Sequence, residues 1–163
     1  MNESPNGDSL SATIDELAGH CFGCGPANPE GLHLSFTLAA PSNGLALTAT
    51  ARFTLTRLHE GAPGFVHGGI IATLLDEAMS KLNRPLNVLA MTRHMEIDYL
   101  RPVPVGEGLV LIGRHVRRDG RKLFHEAKLQ RSDGSVLARG KGLFVVLDAD
   151  RIAAARMHLP LAD

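Results

Sequence analysis

Residues 67–78, HGGIIATLLDEA, carry the pattern that decides the fold of this 163-residue chain. Apolar residues recur there at helical spacing, so the segment predicts a helix from about His67 to Asn83, where Arg84-Pro85 ends it. The two opening glycines, Gly68 and Gly69, let a ligand approach the backbone closely. The first N–H groups of a helix have no partner within it and bind a polarised oxygen well. With the carboxylate of Asp76 nearby, this pattern favours chemistry at a carbonyl group.

The helical position of Asp76 leaves two interpretations open. At about 100° per residue, Asp76 lies roughly 145° from the centre of the apolar face, among small side chains that form a shallow polar groove. Such a groove suits a substrate or a second helix. A solvated helix carboxylate fits the same spacing. Glu77 has Lys81 at i+4, so we expect an ordinary surface ion pair between them.

The spacing of Gly68 and Asp76 leads to a hypothesis about assembly. They are eight residues apart, which is about 12 Å along a helix. One carbonyl group needs its donor and its base each within about 3 Å. One helix cannot supply both, whereas an antiparallel copy brought by a two-fold axis would, so we hypothesise a symmetric dimer with two shared sites.

Strand patterns fill most of the remaining chain. Apolar and polar residues alternate over residues 32–38 and 45–53, and a long strand is expected at residues 88–101. Asp119-Gly120 and Asp133-Gly134 are hairpin turns between candidate strands at 108–118, 121–131 and 135–147. One helix amid about six strands predicts an α+β fold, a curved antiparallel sheet wrapped around one long central helix.

The predicted domain spans residues 21–147 and lies between two tails. Residues 1–20 are expected to hold a polar tail and a short helix near Thr13, and residues 148–163 a tail with a second short helix near 150–158. No internal repeat or further domain is evident.

Composition excludes several classes of function. Lys plus Arg equals Asp plus Glu at 17 each, so the chain lacks the basic field expected of a nucleic-acid-binding protein. No apolar run approaches the roughly 20 residues that span a bilayer, and residues 1–20 lack the apolar core of a secretory signal. Membrane partners are therefore not expected, and a reducing cytoplasm is the expected location.

Cys21 and Cys24 are the only cysteines, too few for a disulfide framework. Their spacing, with His20 and His33 nearby, is half of a zinc motif, whereas structural zinc usually has four ligands in recognisable spacing. We therefore predict no metal, and a loop turn built on the glycines of CFGCG. His94 and His125 alternate with apolar residues on strands, which favours packed or pore-facing histidines over catalytic ones.

Three segments together resemble one known family. They are CFGCG at residues 21–25 with NP and GL at 28–32, GAPGFVHGG at 61–69 continuing to Asp76, and IDYLRPVPVGE at 97–107. Over residues 20–147 the chain resembles hot-dog-fold acyl-CoA thioesterases, in the branch of the phenylacetyl-CoA and human mitochondrial-type enzymes. The resemblance implies hydrolysis of an acyl-CoA or aryl-CoA thioester without metal or cofactor. It also implies a homodimer at least, and often a homotetramer.

The resemblance also implies roles for individual residues. Gly68 would donate its N–H to the thioester oxygen, and Asp76 of the partner subunit would act as general base or nucleophile. Thr92 would hold the water or the carboxylate, and His67 with Gly69 would shape the mouth of the site. Many relatives have an assisting Asn where this chain has Gly61, so the second polar contact is absent or supplied differently.

The remaining binding residues have plain structural alternatives. Phe65 is a candidate for lining an acyl or aryl pocket, unless it is simply core. Arg93 and Arg101 are candidates for contacting the coenzyme A phosphates, unless they are solvated strand residues. Two other functions stay open: a non-catalytic acyl-CoA-binding protein, and a hot-dog hydratase. Related hydratases have a His five positions after the Asp, and Lys81 at that place argues against hydration.

Overall fold

The computed structural model describes residues 19–42, 44–148 and 150. In this part of the chain, helix α1 spans Gly68–Ser80 and continues as a 3-10 turn at Lys81–Asn83. The strands are β1 (Thr37–Ala39), β2 (Thr48–Thr54), β3 (Ala90–Tyr99), β4 (Gly108–Asp119), β5 (Lys122–Arg131) and β6 (Val136–Val146). The predicted α+β architecture, one long helix and a six-stranded sheet, is confirmed. The helices predicted near residue 13 and at 150–158 lie outside the described residues, Asp150 excepted.

All six strands belong to one antiparallel sheet with the order β1-β2-β4-β5-β6-β3. Strands β4, β5 and β6 form the predicted meander. The chain leaves α1, crosses to the far side of the meander and pairs β3 with β6, so β3 is an edge strand.

The apolar face of α1 packs against the concave side of the sheet. Ile71, Leu74, Leu75, Ala78 and Met79 are buried there. The sheet supplies buried side chains that include Leu111, Leu123, Leu129 and Phe144. The burial of these side chains drives the helix onto the sheet.

The first strand is much shorter than the predicted 32–38. Only Thr37–Ala39 pairs, with residues 48–50 of β2, although the predicted hairpin pairing itself is confirmed. The backbone N–H groups of Leu32 and Leu34 donate instead to the carbonyls of Phe22 and Gly23, at 2.7 and 2.9 Å. His33 has a φ of 49°, a left-handed conformation that breaks a strand. The loop before β1 therefore takes the hydrogen bonds that a longer strand would need.

None of the described helices is long and apolar enough to cross a membrane.

Candidate active site

The N-terminus of α1 presents one backbone donor. His67 caps the helix, and its Nδ1 accepts a hydrogen bond from the Gly69 N–H at 2.9 Å. The Gly69 N–H is therefore already used, while the N–H of Gly68 has no acceptor within the helix. Tyr99 of β3 donates its hydroxyl to the Gly68 carbonyl oxygen at 3.1 Å and fixes the first turn. Tyr99 was not predicted, because a contact across 31 residues has no local signal in the sequence.

The loop before α1 leaves little room at the position where relatives have Asn. A Cβ atom on Gly61 would lie 3.0 Å from the Cα of His67, so a side chain there would push against the helix cap. Glu60 accepts a hydrogen bond from the Gly64 N–H at 2.6 Å and holds the same loop. Phe65 is 42% exposed beside this loop, so it is not a core residue.

Asp76 is tied to β3 through Thr92, whose hydroxyl donates to Asp76 Oδ1 at 2.7 Å. The pairing of β3 with β6 shifts at this point, from Thr92↔Phe144 to His94↔Leu143, and leaves Arg93 as the bulged residue. Bulges re-aim side chains beside functional sites. The structure therefore brings two of the sequence-predicted catalytic residues, Asp76 and Thr92, into direct contact.

The surroundings of Asp76 raise the pKa of its carboxyl above the ordinary 3.8. Burial is the main cause, the nearby charge of Glu77 adds to it, and the hydrogen bond from Thr92 opposes it. Asp76 is half-buried and its carboxylate is held by Thr92, which favours the polar groove over the solvated alternative. A partly desolvated carboxylate is a stronger base than one in water, which suits proton abstraction.

The two predicted arginines lie apart from this pair. Arg93 is exposed at the bulge, next to Thr92. Arg101 follows β3 and donates from Nη1 to the Val136 carbonyl oxygen at 2.7 Å. Arg93 is therefore beside the Asp76–Thr92 pair, and Arg101 is anchored at the end of the sheet.

One cleft of about 670 Å³ lies along β3, β6, β5 and β4 and contains neither Gly68 nor Asp76. It is lined largely by charged side chains, among them the Asp98–Arg139 and Arg114–Glu126 ion pairs. Because neither Gly68 nor Asp76 lines it, we do not assign this cleft to the candidate active site.

The environment of Glu77 differs from the surface ion pair that was expected. Its ion pair with Lys81 is present at 3.4 Å, but only 12% of the Glu77 side chain is exposed. Cys21 Sγ lies 3.5 Å from Glu77 Oε2, and Lys81 Nζ donates to Cys24 Sγ at 2.6 Å. The expected surface pair is thus a partly buried contact between α1 and the CFGCG loop. Burial and Glu77 raise the pKa of Cys24 to about 12, so Cys24 is a thiol at neutral pH.

Comparison with known proteins adds to this geometry. Residues 63–138 match the profile of the Thioesterase superfamily. Acyl-coenzyme A thioesterase THEM4 of Rattus norvegicus is 36% identical over 93 residues, which cover 56% of this chain and 40% of that protein. The chain thus spans less than half the length of this curated relative.

Solved structures share the fold over a longer range. The thioesterase superfamily protein RHA08564 has a TM-score of 0.67 and 27% identity, covering 89% of this chain and 85% of that chain. The protein smu.793 of Streptococcus mutans, solved bound to acetyl CoA, has a TM-score of 0.61 and 20% identity, covering 69% and 89%. The matched residues 63–138, just under half of the chain, include α1 and the Asp76–Thr92 pair.

Proposed function

We propose that this protein hydrolyses the thioester bond of an acyl-CoA or aryl-CoA to give the free acid and coenzyme A. The observation that carries the proposal is the Asp76–Thr92 contact on a helix whose first N–H, that of Gly68, has no acceptor within the helix. Two comparisons support the substrate class: the THEM4 relative is named an acyl-coenzyme A thioesterase, and smu.793 was solved with acetyl CoA.

In the proposed reaction, the thioester carbonyl oxygen accepts the Gly68 N–H at the positive end of α1. That donor stabilises the negative charge that develops on this oxygen. Asp76 removes a proton from water as the water oxygen bonds to the carbonyl carbon, and Thr92 keeps the carboxylate in place. The C–S bond then breaks, and the proton held by Asp76 passes to the departing thiolate. A direct attack by Asp76 is the other route that this geometry allows.

The two groups must come from different subunits, since they lie about 12 Å apart along one helix. We place them across a two-fold axis in a homodimer at least, with a homotetramer as the larger assembly. The edge position of β3 supports this arrangement, because an edge strand readily pairs with another chain. Met91 and Tyr99 are large exposed side chains on that strand.

Substrate contacts follow from the same placement. His67 and Gly61 form the loop side of the mouth, where Phe65 is available to the acyl or aryl group. Arg93, beside Thr92, and Arg101 are proposed to contact the phosphates of coenzyme A. The free thiols of Cys21 and Cys24 fit a reducing compartment, and we propose the cytoplasm.

Replacing Asp76 by Asn tests the proposal. Thiol release is measured with short, long and aromatic acyl-CoAs, and binding of coenzyme A is measured by calorimetry. We expect Asp76→Asn to lower kcat by about 100-fold or more with at least one substrate, because the base is lost, while coenzyme A affinity is kept.

The matched control is Asp98→Asn, which removes an exposed carboxylate paired with Arg139 on the same sheet. It should leave kcat unchanged. If the unaltered protein binds acyl-CoA but hydrolyses none of the thioesters, the non-catalytic alternative is favoured. Full activity of Asp76→Asn would remove Asp76 from the mechanism.

A further inference from the structure

A cluster of four side chains joins the CFGCG loop to the second half of α1. Cys21 and Cys24 come from the loop, and Glu77 and Lys81 from the helix. One sulfur atom from each cysteine and one carboxylate oxygen of Glu77 all lie within 4.8 Å of one another. We propose that Cys21, Cys24 and Glu77 bind one zinc ion, which fastens this loop to the helix.

The ligand atoms are close to the arrangement that zinc requires. Two ligands of one tetrahedral zinc, with bonds of about 2.0–2.3 Å, stand roughly 3.5–3.8 Å apart. Cys21 Sγ and Glu77 Oε2 are already 3.5 Å apart. The remaining distances need a contraction on the order of 1 Å, which side-chain rotation supplies. Three protein ligands leave the fourth coordination position for water.

The glycines of CFGCG keep the loop in this position. A Cβ atom on Gly23 would lie 2.5 Å from Glu77 Oε2, so a side chain at position 23 would displace the Glu77 carboxylate from its present place. Gly25 donates its N–H to the Cys21 carbonyl at 2.8 Å, and a Cβ atom there would meet the Cys21 nitrogen at 2.4 Å. The turn thereby holds both thiols toward α1.

Charge and ligand chemistry favour zinc over other cations. Thiolate ligands select soft or borderline metals, whereas magnesium and calcium prefer oxygen. Zinc binding releases the protons of the two thiols, including that of Cys24, which is protonated in the absence of metal. The resulting two thiolates and one carboxylate carry one negative charge more than a zinc ion neutralises, and the Lys81 ammonium balances it. Lys81 Nζ lies 2.6 Å from Cys24 Sγ and donates to it, as a donor to a metal-bound thiolate would.

The site was not predicted because the sequence shows only the two cysteines, and the third ligand comes from a helix 53 or more residues later. Glu77 follows Asp76 directly, yet the two side chains point to different partners, the CFGCG loop and Thr92. The proposed zinc therefore has a structural role, and its binding free energy adds to the free energy of unfolding.

The test is metal analysis of the full chain. The protein is purified without chelator, loaded with equimolar Zn²⁺, desalted, and assayed for metal by mass spectrometry. We expect one zinc per chain and a Tm that falls by several degrees on chelation. Replacement by Co²⁺ should give the near-ultraviolet thiolate-to-cobalt absorption. Unaltered protein that retains no zinc and shows no cobalt–thiolate band would overturn the proposal.

Variants identify the ligands without relying on activity. Cys21→Ser, Cys24→Ser and Glu77→Gln should each lose retained zinc, while His33→Gln, on the same loop, should keep it. Retention of zinc by both cysteine variants contradicts the assignment. A Cys21–Cys24 disulfide in the purified protein would also contradict the assignment if treatment with a reductant and Zn²⁺ did not produce zinc-bound protein.

Discussion

Gly68 offers the most direct residue-scale test of the proposed oxyanion contact, because its N–H can be deleted without breaking α1. Proline is well tolerated at the first position of a helix, where its missing N–H has no partner in the helix. His67 has φ of −61° and ψ of 137°, the extended conformation that a residue before proline prefers. We expect Gly68→Pro to lower kcat by about 100-fold or more, with α1 intact by circular dichroism.

Gly68→Ala is the matched control, since it keeps the N–H. Its Cβ atom would lie 3.7 Å from the nearest Tyr99 ring atom, an ordinary contact. Its kcat should stay within about threefold of the unaltered protein. Equal losses in the proline and alanine variants would show that bulk at this position matters, and not the donor.

His125 is a packed histidine, as its alternation with apolar residues predicted, whereas His94, which alternates in the same way, is exposed and not packed. Its Nε2 lies 3.0 Å from Asn83 Oδ1, which only accepts, so Nε2 carries the proton and donates. Nδ1 then accepts from His115 Nδ1 at 3.2 Å. If His125 were cationic, its Nδ1–H would face the Nδ1–H of His115. Burial lowers the pKa of His125 to about 4, and the nearby His115 adds to this shift.

This histidine makes stability depend on pH. The folded pKa of about 4 lies below the ordinary 6.5, so below pH 6.5 the unfolded chain binds more protons at this residue. The free energy of unfolding should fall progressively as the pH drops from 6.5 to about 4, by at most about 3 kcal/mol from this group. Urea unfolding at several pH values measures the slope.

Substitution assigns that slope to its source. His125→Gln keeps an amide donor but cannot titrate, and it should flatten the decline between pH 6.5 and 4. His94→Gln replaces an exposed histidine and should leave the decline unchanged. A slope that persists in His125→Gln would place the linkage elsewhere.

At the scale of elements, the helix and the hairpin turns could be predicted because each has a local pattern in the sequence. The predicted helix, from about His67 to Asn83, matches α1 and its 3-10 extension, because the apolar face has a clear helical period. The turns that precede β5 and β6 were predicted correctly from the pairs Asp119-Gly120 and Asp133-Gly134. Residues 32–36 were assigned to a strand wrongly, because their alternation competes with hydrogen bonds to the preceding loop.

Features that depend on two distant elements were not predictable. The bulge at Arg93 exists only relative to β6, and it lies directly beside Thr92, whose hydroxyl contacts Asp76. The Asp76–Thr92 pair was anticipated by resemblance, not by spacing. The burial of Glu77 by the CFGCG loop had no local signal either, since the i+4 lysine alone is typical of an exposed pair.

The contact between α1 and β4 yields an element-scale prediction. A Cβ atom on Gly113 would lie 2.3 Å from the Ala78 carbonyl oxygen, so Gly113→Ala must push the helix off the sheet. We expect a loss of about 2–3 kcal/mol in the free energy of unfolding, measured by urea denaturation. Gly140→Ala on β6 places a Cβ atom no closer than 3.4 Å to its neighbours and should change stability by less than about 1 kcal/mol. Comparable losses in both variants would contradict the close helix contact.

At the scale of the whole molecule, the proposed centre is complete only in an assembly. Within one chain, Asp76 and Thr92 are together, while Gly68 is the first residue of the same helix, eight residues before Asp76. The distance between Gly68 and Asp76 could be predicted from their spacing in the sequence, because the rise per residue of an α-helix is constant. The shape of the acyl pocket was not predictable, since it depends on how two chains meet.

Complementation between two inactive variants tests the shared site most directly. Gly68→Pro and Asp76→Asn chains are each assayed alone, then unfolded together in equal amounts, refolded and assayed for thiol release. If each site takes Gly68 from one chain and Asp76 from the other, half of the dimers are mixed and each has one intact site. Activity should return to about a quarter of that of the unaltered protein treated in the same way. A mixture as inactive as its two components would contradict a site shared between subunits.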